Sequence, residues 1–249
     1  MSENESALQV INEHDAHNFE GSRQFLGHMA DLPEDVAKLY TIHREAILPG
    51  VTAGPVGYAF GLYTACRKHL VLGSVSLFRL YSAQTFRETR AAIEAAGLAY
   101  AIQTDPESHR IFKADDGRDK EARKTARKYF TSSRLFPPDV PKLASLKILY
   151  DLNSTFSHTN WLTFIRHVDE NATPGQFEFL YQDIKNHRLP RDLPRFLIGL
   201  CYAHVAILTA ADVVFPFAHL EGFKKERMYV FEKLQRFDAQ HKAQFPSEA

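Results

Sequence analysis

At 249 residues, 45% hydrophobic and 24% charged, the chain carries enough apolar side chains for a sizeable core in one large domain or two small ones. Thirty basic side chains against thirty acidic ones leave a formal charge of zero, so global electrostatics call for neither nucleic acid nor an anionic membrane as partner. The two cysteines, Cys66 and Cys201, each sit in an apolar run, which argues against a disulfide framework and for reduced thiols in a cytoplasmic protein.

Residues 1–32 are predicted to form an acidic, weakly ordered N-terminal arm with a helix around Ala7 to His17, and the acidic start MSENESALQV lacks the basic region of a secretory leader. No internal repeat or low-complexity linker divides the remainder, so 33–249 reads as a single helical domain. Pro33, Glu34 and Asp35 open a helix with Val36, Leu39, Tyr40 and His43 on one face, stopped at Pro49-Gly50. The next follows Pro55 through Tyr58, Leu62 and Cys66, with Gly73 the expected interruption. A long helix from Leu77 to Tyr100 then runs on to Thr104-Asp105-Pro106. Residues 117–131 (GRDKEARKTARKYFT) predict an exposed basic helix, ended by Pro137-Pro138. Asp139 is the expected N-cap of a helix from Pro141 to about His158.

Between Trp161 and Asp183 strand competes with helix. Two apolar runs flank Asn171-Ala172-Thr173-Pro174-Gly175, which predicts a small β-hairpin insert. Helices over Leu193–Val214 and Leu220–His241 close the chain, the last with Phe223, Val230, Leu234 and Phe237 facing inward. The stretch Phe196–Phe217 is long enough to cross a bilayer. Pro216 ends it, however, Asp212 would be costly in lipid, and Gly199, Ala203, Ala206 and Ala210 form a stripe suited to close helix packing. It is taken as a buried helix, with no membrane partner.

The Leu77–Tyr100 stretch supplies the leading candidate site. At 100° per residue, Arg79, Ala83, Arg87, Arg90 and Glu94 fall on one stripe flanked by apolar and alanine positions. Charges in such surroundings need partners or water, because an unpaired buried charge costs several kcal/mol. On the Pro141 helix, Leu143, Leu146, Tyr150, Ser154 and Ser157 share a face that turns polar toward His158. Arg87 and Arg90 as anion contacts, oriented by Glu94, with Tyr150, Ser154 and His158 completing the wall, would make an interior polar pocket. The basic helix carries Arg123, Lys124, Arg127 and Lys128 as a cationic face on which RNA phosphates could rest. No P-loop, Gly-x-Gly-x-x-Gly, Gly-x-Ser-x-Gly, Glu-x-x-His, Cys-x-x-Cys or His-Glu-x-x-His pattern occurs, so neither cofactor nor metal is expected.

The segment FRETRAAIEAAGLAYAIQTDP, followed by Tyr150-x-x-x-Ser154-x-x-x-His158, resembles a group of uncharacterised bacterial helical proteins that are distantly similar to the HEPN superfamily. The resemblance spans roughly residues 60–160 and implies an all-α, homodimeric multi-helix bundle. It also implies a metal-independent ribonuclease as an alternative activity, with His158 as general acid/base. The family's Arg-x(4–6)-His pattern is not met at His158. It is met by Arg23/His28 and Arg236/His241, at the frequency chance allows. The leading expectation is therefore a binding or regulatory protein for a small anionic or nucleotide-like ligand. A structural dimer with an internal salt-bridge network is the third reading.

Overall fold

The computed structural model describes residues 7–115, 117–157, 168–169, 178–179, 184, 189–218 and 221–246. Among them the chain folds as an all-α bundle: α1 (Ala7–Leu26), α2 (Leu32–Ile47), α3 (Pro55–Phe78), α4 (Ser82–Thr104), α5 (Pro106–Ala114), α6 (Lys120–Tyr129), α7 (Ser132–Leu135), α8 (Pro141–Ser157), α9 (Leu189–Val214) and α10 (Glu221–Gln244). Short 3-10 turns over Gly27–Asp31 and Leu48–Gly50 flank α2. Two-residue strands β1 (Val168–Asp169) and β2 (Glu178–Phe179) pair antiparallel, Val168 opposite Phe179 and Asp169 opposite Glu178. The rest of 161–183 lies outside the described residues except as given, and this pairing alone does not establish the expected hairpin.

The centre of the bundle is α9, largely apolar from Phe196 onward, which packs against α2, α3, α4, α8 and α10. Leu193, Leu197, Cys201, Ile207 and Leu208 are fully buried along it, each large side chain contributing about 1.5–3 kcal/mol over its exposed state. Among the described residues it is the one helix long and apolar enough to cross a membrane, and 67% of its apolar window is buried inside the bundle.

The closest partners are α3 and α4. Gly73 sits where they meet α9: a Cβ there would stand 3.2 Å from Leu200 Cδ1. That close approach is why the glycine lies inside α3 and does not interrupt it as expected. Across the α3–α4 seam, Cys66 Sγ donates to the Ala92 carbonyl at 3.3 Å and Thr85 Oγ1 to the Gly73 carbonyl at 3.1 Å.

The predicted helix over Leu77–Tyr100 is two helices. The chain stops at Arg79-Leu80-Tyr81 with no glycine or proline to mark the place. Leu80 adopts φ +67°, its amide donates to the Leu77 carbonyl and the Tyr81 amide to the Ser76 carbonyl, both at 2.8 Å. This pair of bonds, six-to-one and five-to-two, is the Schellman stop, which satisfies the carbonyls left open at the end of α3. Residues 7–26, expected as part of a weakly ordered arm, form a helix docked at this corner. Phe19 packs edge-on to Phe78 at 5.5 Å. Buried Asp15 accepts the Tyr81 hydroxyl at 2.6 Å and lies 3.8 Å from Arg79.

Other boundaries follow the sequence signals. Asp105 accepts from the amides of Glu107 and Ser108 and caps α5, and Asp119 caps α6 through the Glu121 amide. At α8 the first helical bond runs from the Ala144 amide to the Val140 carbonyl, so Val140, not Asp139, holds the cap position.

Candidate functional site

The break at Leu80 disperses the arginine stripe. Arg79 leaves it and pairs with Asp15. Arg87 is exposed on α4. Arg90 donates to Tyr150 Oη at 3.1 Å, with its guanidinium carbon 5.2 Å from the tyrosine ring centroid, a joined hydrogen bond and cation–π contact across α4 and α8. Glu94 is exposed and pairs with no described residue. The carboxylate of α4 that finds partners is Glu88, bound to His69 Nδ1 at 2.8 Å and to the Gln84 amide at 2.6 Å. Ser154 is half-buried on α8, and His158 lies outside the described residues. Of the expected pocket residues, then, Arg90 and Tyr150 are brought into contact.

A larger space opens one helical face away. Between α4, α8 and α9 lies a cavity of about 630 Å³. Its floor is apolar, with Phe86 stacked on Phe156 at 5.0 Å and edge-on to Phe196 at 5.2 Å. Thr85, Thr89 and Asn153 place polar atoms in the wall, but Thr89 Oγ1 and Asn153 Nδ2 already donate to helix carbonyls. Arg191 and Arg195 stand at the rim, Arg191 beside Asp192 at 3.1 Å. Gly199 borders the cavity, and a Cβ built there would meet nothing within 4 Å.

A second cavity, about 340 Å³, lies between α8, α9 and α10. At its edge Asp212 Oδ2 takes Lys142 Nζ at 2.7 Å and stands 3.9 Å from Arg227 Nη1. Asp212 Oδ1 and Arg227 Nη1 are buried and form no hydrogen bond with a described residue, and the same holds for His43 Nε2 nearby. His43 is walled by Phe223, Tyr63 and Phe215, with ring centroids 5.1, 5.8 and 6.1 Å away. Burial lowers its pKa to about 4 against the pull of Asp212, so the ring is neutral at pH 7 and the two cations face a single carboxylate. Unsatisfied buried polar atoms are uncommon in folded proteins and gather where a ligand or water completes the site. The sequence signal for this cluster was Asp212 itself, the lone carboxylate in the apolar stretch Phe196–Phe217. Considered only as a cost in lipid, it carries the same demand for cations in a protein interior.

On α6, Lys120, Arg123, Lys124, Arg127 and Lys128 are all exposed; Lys124 lies 3.6 Å from Glu121, and Arg123 donates to the Gly117 carbonyl. At the far end of the bundle, His28 and His241 border one small cavity, although His241 Nε2 is bonded to the Arg191 carbonyl at 2.8 Å. Among the described residues no cluster of His, Cys, Asp or Glu is arranged to hold a metal. Comparison of this chain with family models, curated proteins and solved structures finds no match.

Proposed function

We propose that this protein is a small-molecule-binding module whose ligand joins an apolar body to an anionic group, taken up in the groove between α4, α8 and α9. The observation that carries this reading is the cavity of about 630 Å³ with the Phe86, Phe156 and Phe196 rings on its floor. Volumes of roughly 300–1,000 Å³ with mostly apolar walls and a few convergent polar groups are typical of ligand sites. The arginines at the rim give an approaching anion a favourable field at the mouth of the groove. In the same reading, 161–183 is the β-hairpin insert expected from the two apolar runs that flank Asn171-Ala172-Thr173-Pro174-Gly175. The anionic ligand expected from the arginine stripe is retained, but its site moves one face along α4.

Gly199 provides the test. Its missing side chain leaves open space, so Gly199→Phe places a ring in the cavity without displacing backbone. The fluorescent probe 1-anilinonaphthalene-8-sulfonate, aromatic and singly anionic, should bind the native protein saturably. Gly199→Phe should abolish that binding while keeping a cooperative urea transition, which separates site occupation from probe uptake by a loosened core. Equal binding by both proteins would sink the proposal.

A further inference from the structure

A ligand in this groove needs an anchor for its charge, and Arg227 is set up for it. The side chain is 16% exposed, yet it donates no hydrogen bond to any described residue. Its nearest carboxylate, at 3.9 Å, is beyond hydrogen-bond reach and is already engaged by Lys142. A guanidinium has five N–H donors in a planar fork and cannot shed its proton. The Arg227 guanidinium carbon lies 5.4 Å from the Phe223 ring centroid. That contact offsets part of the charge's burial but accepts none of its N–H groups, so an incoming acceptor is strongly favoured. Arg195, by contrast, is exposed at the rim, where water screens whatever it attracts.

Arg227 borders the smaller cavity, whose remaining wall is largely apolar, including Val205, Met228 and Phe231. Tyr202 and Ala206 line both cavities, so the two adjoin along α9 at these residues. On the α8 side Leu152 lines the larger cavity at 52% exposed, and Ile148, one turn earlier on the same helix, is 71% exposed. Apolar side chains gathered beside a groove commonly mark a surface that something covers.

We infer that the ligand is a long-chain monocarboxylate, its carboxylate held bidentately by Arg227 and its chain passing Ala206 into the larger cavity. The inference rests on the larger cavity being the ligand site. One positive charge is left over once Lys142 and Asp212 have paired, and the nearby Asp212 carboxylate disfavours a dianion, so a singly charged head fits. Two apolar spaces that share Tyr202 and Ala206 in their walls suit a flexible chain that bends past Ala206 better than a fused ring system.

The test is calorimetric titration with octanoate, decanoate and dodecanoate, with 1-decanol as the neutral control. In wild type, affinity should rise roughly tenfold for every two methylenes added. Arg227→Gln should weaken every carboxylate at least tenfold and leave 1-decanol unchanged. Ala206→Phe should remove the gain beyond octanoate, and Arg195→Gln should have little effect. Should Arg227→Gln fail to fold, the Arg227 Nε–H NMR signal of wild type must still move on adding decanoate. Carboxylate binding indifferent to Arg227→Gln, or an unmoved Nε–H signal, overturns the anchor. Should Gly199→Phe still block the sulfonate probe in that event, the larger cavity remains a ligand site. Octanoate binding that needs Arg227 but gains nothing with chain length overturns the long-chain class.

Discussion

Leu80 holds a conformation that its side chain disfavours because that side chain is wanted elsewhere. At φ +67° a residue with a Cβ costs roughly 1–2 kcal/mol over glycine, yet Leu80 is 3% exposed within the core. Truncating a buried leucine costs about 2–5 kcal/mol, so burial outweighs backbone strain. Leu80→Gly should therefore destabilise the protein by about 2 kcal/mol. Leu80→Ala, which loses the same packing without relieving the backbone, should cost about 1 kcal/mol more. Urea unfolding of the two variants checks this. The reverse order would mean that glycine's freedom in the unfolded chain, not strain in the fold, governs the position. At the same scale, burial pushes both thiols well above the ordinary cysteine range. The native protein should resist thiol reagents until it unfolds.

The contrast between Leu80 and the proline-marked boundaries shows what the sequence made legible. Helix starts at Pro33, Pro55 and Pro106, and stops near Gly50 and Asp105, are local chemistry written in a few residues. The stop at Leu80 is enforced by tertiary burial, so the arginine stripe looked continuous, and Arg79 fell on a face it does not share. Tyr150 and Arg90 were legible as helix-face neighbours. The cavity between α4, α8 and α9 was not, since it depends on side chains brought together from three helices.

Elements also decide what one substitution does. Gly97 and Gly199 both lie inside helices, where glycine to alanine raises helix propensity by about 1 kcal/mol. At Gly199 the added methyl meets nothing within 4 Å, so Gly199→Ala should stabilise the protein by about 0.5–1 kcal/mol. At Gly97 the same methyl would lie 2.8 Å from Phe136 Cε1 and 2.9 Å from the Leu135 carbonyl oxygen. The α7 turn is seated against α4 there, and overpacking of 1–3 kcal/mol should exceed the propensity gain. Gly97→Ala is expected to lower the melting temperature and Gly199→Ala to raise it. Two shifts of the same sign would mean that α7 gives way easily or that the larger cavity is more tightly filled.

At the scale of the whole molecule, the buried histidines His43 and His204 tie stability to pH. His204 lies at the middle of α9 with Nδ1 2.8 Å from Tyr40 Oη on α2, and His43 sits on α2 among aromatic rings. Burial lowers their pKa values to about 3 and about 4. In the unfolded chain both titrate near 6.5. Above that pH neither state takes up a proton, and their contribution to stability is level. Below it the unfolded chain binds two protons that the folded one refuses, so stability falls as pH drops from about 6.5 toward about 4. Each ring costs on the order of 3–5 kcal/mol over its full range, against a total of about 5–15 kcal/mol for a typical domain. Urea transitions between pH 7.5 and 4.5 should therefore shift steeply to lower denaturant, with a limiting slope of about 2.7 kcal/mol per pH unit. His43→Phe, which keeps an aromatic ring among Tyr63, Phe215 and Phe223, should roughly halve that slope. An unchanged slope would mean that protonated His43 finds a charge partner, Asp212 being the carboxylate that already pulls on it, and that the cluster opens enough to let the pair form.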